Sequence, residues 1–144
     1  MYKSILVPID VSHEDVGIRI VEKAKALSDK GAKMTLLHVM DDISSNMHAY
    51  IPEGKLESNL MEIKRELSTM AKKIGVDAEI VVRFGIARSV ILEEAESMGA
   101  DLIILASHKP GLQDYLIGST ASRIVRHARC SVLIDRQEVQ RIIF

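Results

Sequence analysis

Apolar residues recur along the chain in two alternating patterns, one typical of buried strands and one typical of amphipathic helices. Short runs such as Leu102-Ile103-Ile104-Leu105 are apolar without alternation, as expected of parallel strands covered on both faces. Segments of this kind predict five strands. Their expected ranges are 3–9, 34–40, 78–84, 101–106 and 131–134.

Between the strands, apolar residues at steps of three and four predict four helices. The first is expected to follow an N-cap at Ser12 and to end near Gly31. The clearest covers residues 55–74 and stops at Gly75. A third helix is expected over residues 86–98. The fourth begins at Gly118 and is expected to bury four residues, Ala121, Ile124, Val125 and Ala128.

Strands that alternate with helices indicate βαβ units, and right-handed crossovers then give an open, doubly wound parallel α/β sheet with helices on both faces. We expect one domain over residues 1–144. The strand order 3-2-1-4-5 would make the first and fourth strands neighbours. Asp10 and Ser107 would then meet where the winding reverses, which is where such sheets bind ligands.

Charge and composition narrow the partners and the compartment. The chain has 19 Lys and Arg against 20 Asp and Glu, a net charge of -1, which disfavours nucleic acid and anionic membranes as partners. A single cysteine, Cys130, excludes an internal disulfide and fits a reducing compartment. The sequence begins directly with a strand, and no apolar segment approaches membrane-spanning length. We therefore expect a soluble cytoplasmic protein.

The segment between the fourth strand and the last helix suits a phosphate group. The backbone N–H groups of Ser119 and Thr120 are unpaired donors at the positive end of a helix dipole, where an anion binds well. The loop also contains His108 and Lys109. We expect Lys109 to contact phosphate and His108 to contribute its backbone. The alternative is a plain turn with an N-cap and two solvated side chains.

Asp10 has two interpretations of equal weight. Its carboxylate either caps the turn that follows the first strand or addresses the ribose and adenine of a nucleotide. The histidines at 13, 38, 48 and 127 lack metal-ligand spacing, so we expect no protein-ligated metal. Cys130 lacks a cationic setting and is expected to be an inert thiol.

Several segments, in this order and spacing, resemble the universal stress protein family over nearly the whole chain. They are Ile5-Leu6-Val7-Pro8-Ile9-Asp10, His38-Val39, Phe84-Gly85, Gly99-Ala100-Asp101-Leu102-Ile103-Ile104, Gly118-Ser119 and Cys130-Ser131-Val132-Leu133-Ile134. The resemblance implies a fold like that of the adenine nucleotide alpha hydrolases. It also implies adenosine contacts from Pro8, Ile9 and Asp10, with the Val39 backbone meeting the adenine.

The ATP-binding branch of that family has the pattern Gly, two residues, Gly, nine residues, then Gly followed by Ser or Thr. Here Ala106 and Lys109 occupy the first two glycine positions, and the loop is one residue shorter. Gly111 is expected to serve instead, and Gly118 to adopt a φ that favours glycine. The segment resembles that of a bacterial subgroup that keeps ATP. The expected phosphate-side residues are Ala106, Ser107, His108, Lys109, Gly111, Gly118, Ser119 and Thr120.

We therefore expect an ATP-binding regulatory module whose nucleotide state changes oligomer or partner contacts, with ADP and AMP as alternative ligands and Mg²⁺ held through the phosphates. One alternative is a slow ATPase or self-phosphorylating enzyme that uses Ser119 or Thr120. Another is a nucleotide-free dimeric stress factor. No Gly-x-Gly-x-x-Gly follows the first strand and no Walker loop is present.

The expected oligomer is a homodimer, with a tetramer as its extension. The family pairs the fifth strand across a two-fold axis, and an apolar edge strand is normally covered or paired. Residues 137–144 run past the usual family ending and finish with Ile142-Ile143-Phe144. We expect this tail to be anchored on its own subunit or on the dimer partner; the alternative is a frayed terminus.

Overall fold

The computed structural model describes residues 1–40, 54–107 and 118–136. Within these ranges, strands and helices alternate. The strands are β1 (Tyr2–Pro8), β2 (Ser28–Met40), β3 (Ala78–Phe84), β4 (Leu102–Ala106) and β5 (Ser131–Asp135). The helices are α1 (Glu14–Leu27), α2 (Lys55–Ile74), α3 (Ala87–Met98) and α4 (Ser119–His127). The predicted residues His48, His108, Lys109 and Gly111 lie outside the described residues, as do most of the 41–54 loop and the tail 137–144.

The strands form one parallel sheet in the order β3-β2-β1-β4-β5, which confirms the predicted fold and strand order. β1 is central and pairs with β2 through Pro8–Leu37 and with β4 through Leu6–Ile103. The winding reverses between β1 and β4. A parallel sheet of this kind needs helices on both faces to cover its apolar strands.

Two hydrophobic clusters, one on each face of the sheet, form the core. On the first face, α1 and α2 pack Ile20 and Leu67 against Ile5 and Val7 of β1. On the second face, α3 and α4 pack against Leu6 and its neighbours. Successive residues of β1 thus serve opposite clusters, because side chains alternate along a strand. Among the described residues, no helix is long and apolar enough to span a bilayer.

Three local predictions at the first helix and second strand are wrong. α1 ends at Leu27 instead of Gly31, and β2 begins at Ser28 instead of Met34, because Ser28 pairs with Tyr2 before a register irregularity. Ser12 is not the N-cap of α1. That position belongs to His13, which makes no side-chain cap hydrogen bond.

The predicted buried face of α4 is wrong at one residue. Ile124 is fully buried, and Ala121 and Ala128 pack partly buried against the second cluster, but Val125 is 49% exposed. Val125 lies about 100° around the helix from Ile124, and this short helix covers the sheet with one narrow stripe. By contrast, α2 has the predicted bounds and ends at Gly75 in the left-handed conformation, with φ 80°.

Candidate functional site

The carboxyl ends of β1 and β4 lie side by side at the point where the winding of the sheet reverses. Pro8 ends β1, Ile9 follows it and is 4% exposed, and the Ile9 N–H donates to the Leu37 carbonyl at 2.8 Å. Ala106 ends β4, with Ser107 immediately after it. The structure therefore brings the predicted residues after β1 and at the end of β4 to one edge of the sheet.

Asp10 caps the turn that follows β1. Its Oδ1 accepts hydrogen bonds from the Ser12 N–H at 3.0 Å and from the Ser12 hydroxyl at 2.6 Å. The Asp10 carbonyl accepts from the His13 N–H at 3.1 Å, and Oδ2 lies 4.0 Å from His13 Nε2. The structural role weighed for Asp10 is therefore present, and it fixes the path from β1 into α1.

Val39 offers its backbone to the region beyond β1. The Leu37 carbonyl accepts from Ile9, so the backbone groups of Leu37 point toward β1. The direction of the backbone N–H and C=O groups alternates from one residue of a strand to the next. Val39 lies two residues after Leu37, so its backbone groups also point toward the β1 side. The β1–β2 ladder ends at Pro8 and Leu37, whereas Val39 is paired on its other side with Arg83 of β3. Its side chain packs against the second cluster. The Val39 backbone therefore faces the space past the end of β1.

His38 holds the end of β1 in a way that sequence reasoning missed. Its Nδ1 lies 2.9 Å from the carbonyl oxygen of Ile9. Sequence reasoning placed His38 in the segment His38-Val39 that resembles the family and among the histidines without metal-ligand spacing, and gave its side chain no role. The pair is separated by 29 residues. The signal that could have found it is the position of a histidine near the end of a strand adjacent to β1.

An ion cluster at the end of β5 was also missed. Asp135 is 6% exposed, and its carboxylate accepts from Arg19 Nε at 2.9 Å and from Lys23 Nζ at 2.6 Å. Burial acts to raise the pKa of Asp135, but the hydrogen bonds and charges of Lys23 and Arg19 outweigh it, so the pKa lies below its ordinary value. The Asp135 carbonyl accepts from the Ser107 N–H at 3.0 Å. The cluster thus borders the candidate site.

The N-terminus of α4 has the predicted position but not the predicted backbone. Gly118 is the N-cap with φ -58° and ψ 160°, a conformation open to any residue, so the expected glycine-specific φ is wrong. No side-chain cap hydrogen bond is made there. Ser119 is exposed and Thr120 is half-buried. A Cβ built on Gly118 would meet no described atom within 4 Å.

In the part of the chain that the structure describes, neither Cys130 nor the acidic residues form a reactive-thiol site or a metal site. Burial and the charge of Asp101 raise the pKa of the Cys130 thiol, which disfavours the reactive thiolate, in line with the expected inert role. Residues 1–40, 54–107 and 118–136 contain no group of three or more His, Cys, Asp or Glu side chains that could hold a metal ion.

Comparisons with known proteins agree with this architecture. The model of the universal stress protein family matches residues 1–136. Universal stress protein G of Shigella flexneri is 33% identical over 142 residues, which cover 94% of this chain and 100% of the relative.

Solved structures give the same result. That of the Methanocaldococcus jannaschii protein MJ0577 superposes with a TM-score of 0.74 at 28% identity, covering 97% of this chain and 99% of the other. A universal stress protein in complex with cAMP superposes with a TM-score of 0.68 at 24% identity, covering 94% of this chain and 97% of the other, a likeness that shows the shared fold. On the strength of the family match over residues 1–136, this chain belongs to the universal stress protein family.

Proposed function

We propose that this protein binds an adenine nucleotide, preferably ATP, in the crevice outside the carboxyl ends of β1 and β4. The observation that supports this most is the strand order, which makes β1 and β4 neighbours at the reversal of winding. Open α/β sheets bind ligands at this point, because the connecting loops diverge there and leave a crevice.

The adenosine would lie over the ends of β1 and β2. Pro8, Ile9 and Asp10 would contact it from β1, and the Val39 backbone groups, which face past the end of β1, would meet the edge of the adenine. Asp10 already holds Ser12 through Oδ1. A ribose hydroxyl would therefore be an additional donor to the carboxylate, not its first partner.

The phosphates would extend toward α4. The Ser119 and Thr120 N–H groups lie in the first turn of that helix, and its dipole would contribute roughly 0.3 to 2 kcal/mol toward an anion. Ala106 and Ser107 would approach from the end of β4. We propose that His108, Lys109 and Gly111 complete the phosphate side, and that Mg²⁺ is held through the phosphate oxygens.

The proposed role is regulatory: nucleotide state would alter contacts between subunits or with another protein. β5 is an edge strand, and its apolar residues Val132, Leu133 and Ile134 are half-buried within the single chain. Pairing of β5 with a second copy would cover the edge and give a homodimer. A tetramer would add further contacts between dimers.

Mass spectrometry of the ligand released from purified, denatured protein tests the proposal directly. We expect adenine nucleotide, and calorimetry with ATP, ADP, AMP and cAMP then ranks the ligands. If no nucleotide co-purifies and none of the four ligands binds measurably, the proposal is refuted and a nucleotide-free dimeric stress factor is favoured. Covalent phosphate on Ser119 or Thr120, detected by mass spectrometry of the protein itself, would favour the self-phosphorylating enzyme.

A further inference from the structure

The segment after β1 is fixed to β2 through both backbone groups of one residue. The Ile9 N–H donates to the Leu37 carbonyl at 2.8 Å, and the Ile9 carbonyl lies 2.9 Å from Nδ1 of His38. The first of these bonds continues the pattern of the sheet. The second is made by a side chain, so it depends on the identity of residue 38.

The chemistry of the pair assigns the proton. A carbonyl oxygen can only accept, so Nδ1 of His38 must be the donor. Both the neutral tautomer with the proton on Nδ1 and the doubly protonated imidazolium can make this bond. Ile9 is 4% exposed, so loss of the donor would leave its carbonyl without a partner in a place that water reaches poorly.

The bond matters for the residues that follow. The next residue, Asp10, accepts from the Ser12 N–H and hydroxyl through its carboxylate and from the His13 N–H through its carbonyl. Together with the Ile9–Leu37 bond, the His38 bond therefore fixes the residue that leads directly into the turn before α1. Rotation of the Ile9–Asp10 peptide plane would shift the start of that turn.

We propose that His38 is a positioning residue for adenosine: its Nδ1–H holds the Ile9 carbonyl and so fixes the Ile9–Asp10 segment in its ligand-ready conformation. This inference rests on the proposed nucleotide function. The hydrogen bond concerns the adenosine end of the ligand only. Its removal must therefore weaken the binding of ATP and of adenosine, which lacks phosphates, by the same factor.

Three substitutions at residue 38 separate the hydrogen bond from the bulk of the ring. His38→Asn places an amide N–H where Nδ1 lies, because both nitrogens are bonded to Cγ. His38→Gln moves the amide one bond outward, and His38→Leu removes the donor while keeping apolar volume. His127→Leu is the matched control, since His127 is exposed in the last turn of α4.

Calorimetry with ATP and with adenosine gives the first readout. We expect His38→Leu and His38→Gln to weaken both ligands by the same factor, between about twofold and about tenfold, the range of one hydrogen bond. His38→Asn should bind within about twofold of the unaltered protein, and His127→Leu should be unchanged. Wild-type affinity in both His38→Leu and His38→Gln, equal weakening in His38→Asn and His38→Gln, or a loss confined to ATP would overturn the proposal.

Amide hydrogen exchange gives a readout that needs no ligand. The Ile9 and His13 N–H groups should exchange faster in His38→Gln than in the unaltered protein, and His38→Asn should restore their protection. Unchanged exchange in His38→Gln would overturn the positioning role even if nucleotide binds. Conversely, unaltered protein that binds neither ATP nor adenosine refutes the proposed function, while the exchange data still decide whether His38 fixes the segment. The Asn and Gln comparison remains informative if His38→Leu fails to fold.

Discussion

The backbone N–H of Ser107 donates to the carbonyl oxygen of Asp135 at 3.0 Å, which joins the residue after β4 to the last residue of the edge strand β5. The Asp135 side chain is held from the other direction by Arg19 and Lys23 of α1. One residue thus ties together the proposed phosphate side, the first helix and the edge proposed for dimerisation.

Asp135→Asn is expected to lower the free energy of unfolding near neutral pH by about 1 to 3 kcal/mol, because a buried charged hydrogen-bond partner is lost while Arg19 and Lys23 remain half-exposed to water. The folded-state pKa of Asp135 is lowered. Its stabilisation is therefore complete above the unfolded carboxyl pKa of about 4 and is lost as pH falls through the lower folded value.

Urea unfolding of both proteins at neutral pH and at about pH 3 measures this effect. The difference between them should shrink on acidification. Asp77→Asn, at an exposed residue, is the control and should change stability little. A difference in stability that stays constant with pH would contradict the role assigned to the Asp135 carboxylate.

Gly118→Val is expected to weaken ATP binding at least about tenfold, because a branched side chain would crowd the approach of phosphate to the backbone of α4. The backbone at Gly118 accepts any residue, and a Cβ there meets no described atom, so folding should survive. Calorimetry with a circular dichroism control tests this. Gly118→Ala should give a smaller loss. Unchanged ATP affinity in a folded Gly118→Val protein would contradict the proposal that phosphate binds at the N-terminus of α4.

Lys109→Ala is expected to weaken ATP about tenfold and leave adenosine binding nearly unchanged, because only the charged ligand loses a charge-assisted hydrogen bond. Lys33→Ala is the control: Lys33 lies on β2 and forms a surface ion pair with Glu79 at 3.7 Å. Parallel titrations with the two ligands provide the measurement. Equal losses for ATP and adenosine would contradict a phosphate contact from Lys109.

Ile134→Lys is expected to convert a β5-paired homodimer into monomers on sedimentation, because a lysine at the strand edge opposes pairing with a second copy. Val132 is unsuitable for this test, since it packs against the second core cluster and a charge there would damage the fold. Val125→Lys, at an exposed position of α4, should leave assembly intact. A dimer that persists in Ile134→Lys would show that the dimer interface is not formed by pairing of β5.

The sequence by itself determined the elements whose signals are local. The apolar stripe of α2 and its terminal Gly75 gave correct bounds, and so did the third strand, 78–84. The alternation of strands and helices, together with the handedness of crossovers, restricted the topology to few choices, and the resemblance to a family supported one of them. Local pattern is sufficient here because burial on one stripe or on both faces of a strand imposes a period on the residues.

Only the tertiary structure decided features that depend on residues distant in sequence. The pairing of Ser28 with Tyr2 lengthened β2 at the expense of the loop after α1. His38 meets Ile9 across 29 positions, and Asp135 meets Arg19 across 116. A polar side chain near the end of a strand can be exposed to solvent, cap a turn or form an ion pair. Its residue type and local pattern do not distinguish these three roles. The choice is made by which elements the sheet order brings together, because buried polar groups must find partners in space and not along the chain.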